Sequence, residues 1–100
     1  MKKFKLTDET INYFGTTLYR IEALIDFGNV KAGDKGGFIQ SEENLSQMYG
    51  NAWVYGNARV SGDARVSGDA MVSGDARVFG DAWVYGNARV SGDAMVCDNI

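Results

Sequence analysis

A six-residue unit, Gly-Asn/Asp-Ala-x-Val-x, runs without interruption from Gly50 to Cys97 and constrains this chain more than any other feature. Gly50, Gly56, Gly62, Gly68, Gly74, Gly80, Gly86 and Gly92 set the beat, with an alanine two places and a valine four places behind each. Ala and Val two apart face the same way on a strand. Glycine recurring at a fixed phase marks a regular backbone corner rather than a flexible linker. Three such sides close a triangular coil of 18 residues, and coils stack about 4.8 Å apart through parallel ladders. The valines fill the middle of each side, and the alanines sit near the corners, where anything larger would collide.

The repeat frays toward the N-terminus. In register, Ser46 takes an Ala place and Met48 a Val place, while Asn44 and Leu45 take the Gly and Asn/Asp places. Glu42 would then fall on a Val place, which ends the pattern. The expected architecture is all-β: a short triangular parallel β-helix of about three coils over residues 44–98. A small β-rich capping head at residues 1–43 precedes it, and residues 99–100 form the C-terminal end. Such a column is roughly 14 Å tall. The head can cap one end. Asp98, Asn99 and Ile100 offer little cover at the other, so a sheet edge near Val96 is expected to be closed by self-association or by another protein.

Within the head, Phe4 and Leu6 alternate as in a short strand, followed by a turn through residues 8–12. Residues 17–27 (TLYRIEALIDF) place Tyr19, Ile21, Ala23, Ile25 and Phe27 on one side and Arg20, Glu22 and Asp26 on the other. Read as a helix, the same stretch gathers Leu18, Ile21, Leu24 and Ile25; its β-branched and aromatic content favours the strand. Gly36-Gly37 reads as a tight turn with positive φ, and Phe38-Ile39 as a short strand leading into the array. The glycine-rich segment with Lys31 and Lys35 lacks the order and the following helix of a phosphate loop.

Offsets of 18 stack the x residues in outward columns: Trp53, Met71 and Arg89; Arg59, Arg77 and Met95; Arg65 and Trp83. The residue after each valine gives Tyr55, Ser73 and Ser91; Ser61, Phe79 and Cys97; Ser67 and Tyr85. Outward aromatics and methionines on so small a body exceed what solubility needs and predict a subunit or partner surface. Candidate residues for it are Trp53, Tyr55, Arg59, Arg65, Phe79, Trp83, Tyr85, Arg89, Met95 and Val96. Stacked Arg over Trp adds a local cation–π pair. The turn acids Asp63, Asp69, Asp75, Asp81 and Asp93 form a ladder whose first role is structural, because Asn and Asp tolerate left-handed backbone angles and bond nearby amides.

Composition narrows the function classes. With 13 acidic and 10 basic residues, a net charge of -3 argues against direct nucleic-acid binding, which needs a basic face. One cysteine, Cys97, excludes an internal disulfide. The start MKKFKLTDETINYFG has no apolar run behind its basic residues, so no signal peptide or membrane span is expected, and a cytoplasmic location is the default.

The repeat, as in Val54-Tyr55-Gly56-Asn57-Ala58-Arg59, resembles the left-handed β-helix of hexapeptide-repeat proteins, many of them trimeric acyltransferases that bind coenzyme A or acyl-carrier substrates between subunits. Left-handedness is what that resemblance implies. The segment GNVKAGDKGGFIQSEENLS with the following GNAWVYGNARV also looks like the N-terminal part of longer acetyltransferase-like proteins of enteric bacteria, and like short proteins carried by phages and mobile elements. Acyl transfer in the family relies on a histidine base. This chain has none, and no loop interrupts the array to build a pocket. Cys97, on an outward serine-equivalent place, has no histidine to activate it. No catalytic residue, metal ligand or cofactor is expected. The leading expectation is a non-enzymatic module that self-assembles as a dimer or trimer, or binds a host protein, through its C-terminal coil edge or aromatic face. Two alternatives stand beside it. One is an anti-CRISPR-like phage inhibitor acting in the host cytoplasm as an acidic rigid decoy. The other is an acyltransferase remnant.

Overall fold

The computed structural model describes residues 2–13, 15–47 and 50–97. Each repeat unit contributes a two-residue x-Val strand: β4 (Trp53–Val54), β5 (Arg59–Val60), β6 (Arg65–Val66), β7 (Met71–Val72), β8 (Arg77–Val78), β9 (Trp83–Val84), β10 (Arg89–Val90) and β11 (Met95–Val96). Before them come β1 (Phe4–Tyr13), β2 (Thr16–Ala23), β3 (Lys35–Ile39) and a 3-10 turn at Glu42–Asn44. The repeat strands sort onto three faces: β5, β8 and β11; β4, β7 and β10; β6 and β9. All pair in parallel, with Trp53 beside Met71 beside Arg89, Arg59 beside Arg77 beside Met95, and Arg65 beside Trp83. These are the columns that an 18-residue coil dictates. The chain is an all-β, triangular parallel β-solenoid of roughly three turns.

The hexad maps onto the ladder residue by residue. Along one side, Arg59 N donates to Ala76 O at 3.0 Å, Ser61 N to Val78 O at 2.9 Å and Asp63 N to Gly80 O at 2.9 Å. At the corner, Ala64 N reaches back to Ser61 O at 3.3 Å, and Gly62 turns the chain with φ +67. A Cβ on Gly62 would also stand only 3.2 Å from Gly80 N one coil below, so glycine answers both backbone angle and close approach. Inside, alanines 52 to 82 and valines 54 to 78 of the repeat are fully buried. Each such valine contributes about 1.5–3 kcal/mol by leaving water.

The first coil departs from the expected register. Ile39 pairs with Val60 and Leu45 bridges to Val66, each 21 residues earlier rather than 18. Ile39 and Leu45 therefore hold the Val places, and the corner from Leu45 to Val54 takes nine residues rather than six. Ser46 is consequently not at an Ala place: its N–H donates to Val66 O at 2.9 Å, as a residue after valine does. The solenoid thus begins at β3, ahead of the boundary at residue 44, because three extra corner residues spare Glu42 from the interior. The place expected for Met48 lies outside the described residues. Asn44 sits buried at the preceding corner, where Oδ1 accepts from Gln40 N (3.0 Å) and Ser41 N (2.8 Å) and Nδ2 donates to Gly62 O (3.1 Å) and Ala64 O (2.8 Å).

The head is an antiparallel hairpin joined edge-on to the first face, giving a six-stranded sheet in the order β1-β2-β3-β5-β8-β11. β1 does not turn at residues 8–12 as expected. It runs on to Tyr13 through an irregularity between Leu6 and Thr10, where Thr7 Oγ1 donates to Arg20 O at 2.8 Å. β2 ends at Ala23 rather than Phe27, and Leu18, Ile21 and Ala23 are its buried residues. Gly36 and Gly37 lie within β3 without positive φ. A Cβ on either would run into the backbone carbonyls of Val54 or Ala58. They serve close approach, and Gly28 and Gly33 take the positive-φ places instead.

The N-terminal end of the solenoid is closed. Phe4 and Phe27 pack edge-on against Trp53 at ring separations of 6.2 and 5.2 Å. Gln47 Oε1 accepts from Lys3 N and Phe4 N at 2.8 and 3.1 Å. Lys3, itself buried, donates from Nζ to Ala52 O at 2.9 Å above the Phe27 ring. Burial pulls the Lys3 pKa from 10.5 down to about 8, with Asp69 acting in the opposite direction. Between those values the unfolded chain holds a proton that the folded chain has released, so stability rises with pH from about 8 toward 10.5. The slope is at most ~1.4 kcal/mol per pH unit. Burial also raises the Tyr55 hydroxyl above its usual 10, which lowers stability only above that pH. Urea denaturation of wild type and Lys3→Met between pH 7 and 10 is expected to show the rise in wild type and a flattened profile in the variant.

Candidate interaction surface

The three faces and two ends place the candidate residues very differently. Trp53 is 1% exposed, roofed by the head, and is not on an open surface. The outward column it begins meets the Phe4 and Phe27 rings, which no local pattern announced. Tyr55 is half-buried against the core. Arg59 is half-buried beneath the hairpin tip, its guanidinium 5.1 Å from the centre of the Tyr13 ring. Phe79 is half-buried on the same face. Arg65 and Arg89 are exposed. Among the described residues the cations set over rings are Lys3, Arg20, Arg59 and Arg77, over Phe27, Phe38 and Tyr13; the expected Arg-over-Trp pairing is not among these.

The remaining candidates gather at the last described coil. Trp83, Tyr85 and Met95 are the large exposed side chains there, at 56%, 57% and 60%. Beside Trp83 and Tyr85 opens a recess of about 560 Å³, walled by Val84, Ala88, Val90, Ala94, Val96, Arg89 and Ser91. Its chemistry follows from the repeat. Ala88 and Ala94 occupy the places that alanines 52 to 82 fill at zero exposure, yet both are exposed, and Val96 is only half-buried. The interior of the column is laid open here, with aromatic side chains on its rim. Among the described residues nothing covers it, and β9, β10 and β11 are the terminal strands of their sheets. The places expected for Asp98, Asn99 and Ile100 lie outside the described residues.

The acids Asp63, Asp69, Asp75, Asp81 and Asp93 stand exposed at corners. Asp69 Oδ1 accepts from Asn51 N at 3.0 Å, the structural use expected of a turn acid. Cys97 is exposed. Among the described residues no three His, Cys, Asp or Glu side chains gather as a metal site, and no helix is long and apolar enough to cross a membrane.

Sequence reasoning missed the hairpin tip, where Tyr13 covers Arg59 and Arg77, and the roles of Lys3 and Asn44. A signal for the first coil was present: Ile39 and Leu45 are six residues apart, the repeat's own spacing.

Among the described residues the chain is a parallel β-solenoid closed by a hairpin head at one end, with the interior of its last coil exposed at the other. The family model described as the YdcK beta solenoid repeat matches six overlapping windows that together span residues 46–98. That is more than half of the chain, and the chain belongs to this β-solenoid repeat family. No curated protein matches it.

Proposed function

We propose that this chain is a non-enzymatic self-assembly body whose last coil joins that of a second copy, end to end. The observation that carries this reading is the apolar recess walled by Val84, Ala88, Val90, Ala94 and Val96 and rimmed by Trp83 and Tyr85. Exposed interior residues and unpaired strand edges favour a covering surface of the same chemistry. A second copy supplies both apolar wall and ladder donors. The head closes the opposite end with Phe4, Phe27 and Lys3, so copies cannot stack head to tail. Contact between like ends is self-complementary and stops at a dimer. The non-enzymatic part is supported by the lack of histidine and by ladder acids that stand in solvent.

Light scattering of the purified protein over a concentration series is expected to give a dimer. Ala94→Arg, which puts a charge where the two ends would meet, is expected to give a monomer with an unchanged far-ultraviolet dichroism spectrum. Arg65→Glu, on another face, should leave the dimer intact. A wild type that stays monomeric at every concentration, or an A94R protein that remains dimeric, sinks the proposal.

A further inference from the structure

The hairpin head does more than close the first coil: its tip hangs over the first face and encloses a second, separate recess. Tyr13 and Thr16 face each other across the hairpin end. Beneath them Arg59 and Arg77 are ladder neighbours on β5 and β8, about 4.8 Å apart along the column. Both guanidinium groups lie under the single Tyr13 ring, 5.1 and 5.7 Å from its centre. Their Nε atoms are buried without a hydrogen-bond partner. The ion pairs among the described residues, Lys2 with Glu42 and Arg20 with Glu9, involve neither.

Two like charges held one rung apart, partly out of water and without an acid, repel each other. A ring face offsets part of that cost; an anion would offset more. The recess beside them holds about 320 Å³, lined by Tyr13, Thr16, Ser61, Arg77, Phe79 and Met95. Its walls are mainly apolar, with Thr16, Ser61 and Arg77 as polar lining residues beside Tyr13. That volume is at the small end for ligand sites. Apolar walls with a fixed, planar, uncompensated cation fit a small carboxylate carried on an aromatic or aliphatic body, since guanidinium bonds carboxylate oxygens in pairs.

We propose that this recess is a binding site for small organic acids. The carboxylate meets Arg77, with Arg59 adding charge from the rung above, and the apolar body rests on Phe79 and Met95. It shares no lining residue with the recess at the last coil, although its Met95 stands between Ala94 and Val96 of that recess.

The test is a titration of the intact protein with hydrocinnamate, followed by nuclear magnetic resonance at the Met95 methyl and at the Arg59 and Arg77 Nε–H signals. Those signals are expected to shift and saturate, while Arg65 and Arg89 stay still. Hydrocinnamamide, the same body without the charge, is expected to bind at least about tenfold more weakly, the usual worth of a charged hydrogen bond. Arg77→Gln should weaken the acid to a similar degree, and Arg65→Gln should not. If R77Q does not fold, the acid and amide compared on wild type decide the matter. Equal binding of acid and amide, or shifts that never saturate, overturns the proposal.

Discussion

Trp53→Ala is expected to cost about 3–5 kcal/mol, the range for truncating a buried aromatic, and to lower the thermal midpoint by more than ~10 °C. Trp83→Ala is expected to cost under ~1 kcal/mol. The contrast is informative because the two tryptophans sit in nearly identical sequence, NAWVYGNARVSG against DAWVYGNARVSG. Trp53 is 1% exposed between Phe4, Phe27 and the first coil, whereas Trp83 is 56% exposed beside the open end. A protein of this size has a total stability on the order of 5–15 kcal/mol, so W53A removes a large fraction of it. Thermal denaturation by circular dichroism on both variants checks the pair. Equal losses would mean that the head is not docked on Trp53 in solution. W83A should show its effect elsewhere, in a weaker dimer.

The second large effect is expected at Asn44. Four backbone groups bond its side chain: the N–H of Ser41, the carbonyls of Gly62 and Ala64, and the N–H of Gln40, which also donates to Val60 O at 3.1 Å. Asn44→Ala strands the first three at a buried corner and is expected to cost at least ~3 kcal/mol. Asn44→Asp should be no milder, since it replaces the two donors with a charge facing two carbonyl oxygens. Asn57→Ala, at an exposed repeat corner, is expected to stay within ~0.5 kcal/mol of wild type. Urea denaturation midpoints at constant m-value separate these outcomes. An N44A protein as stable as N57A would show that solvent reaches that corner.

Where the chain repeats, its structure was legible. A period of six with Ala and Val in fixed phase gave the coil length, the three faces, the inward residues and every outward column, because each unit settles its own geometry against the unit 18 residues on. Legibility stopped where units stop resembling one another. Ile39 and Leu45 carry the inward role without a Gly-Asp-Ala frame, and the nine-residue corner shifts them out of the simple count. Gly36 and Gly37 look like a turn in one dimension and prove to be a strand pressed against another backbone. Trp53 and Trp83 cannot be told apart locally, because what covers one of them arrives from residues some 25 to 50 positions away. The exposed Trp83 and Tyr85 were foreseeable from the outward columns. The guanidinium pair under Tyr13 was not, since it depends on how far a hairpin with an irregular register reaches.

The closed first coil gives the column a direction of unravelling. Among the described residues each rung is seated on the rung before it, and the first is seated on the head. Exposure of the inward residues shows the gradient: Val54 and Val72 are at zero, Val90 at 9%, and Ala88 and Ala94 stand in water. In a stack whose stability is a sum of neighbour terms, such a gradient makes the last described coil the first to fray, like a rope whipped at the other end. Whatever seats itself on the last coil acts as the second whipping, and it steadies every rung above by an amount that grows with its own concentration.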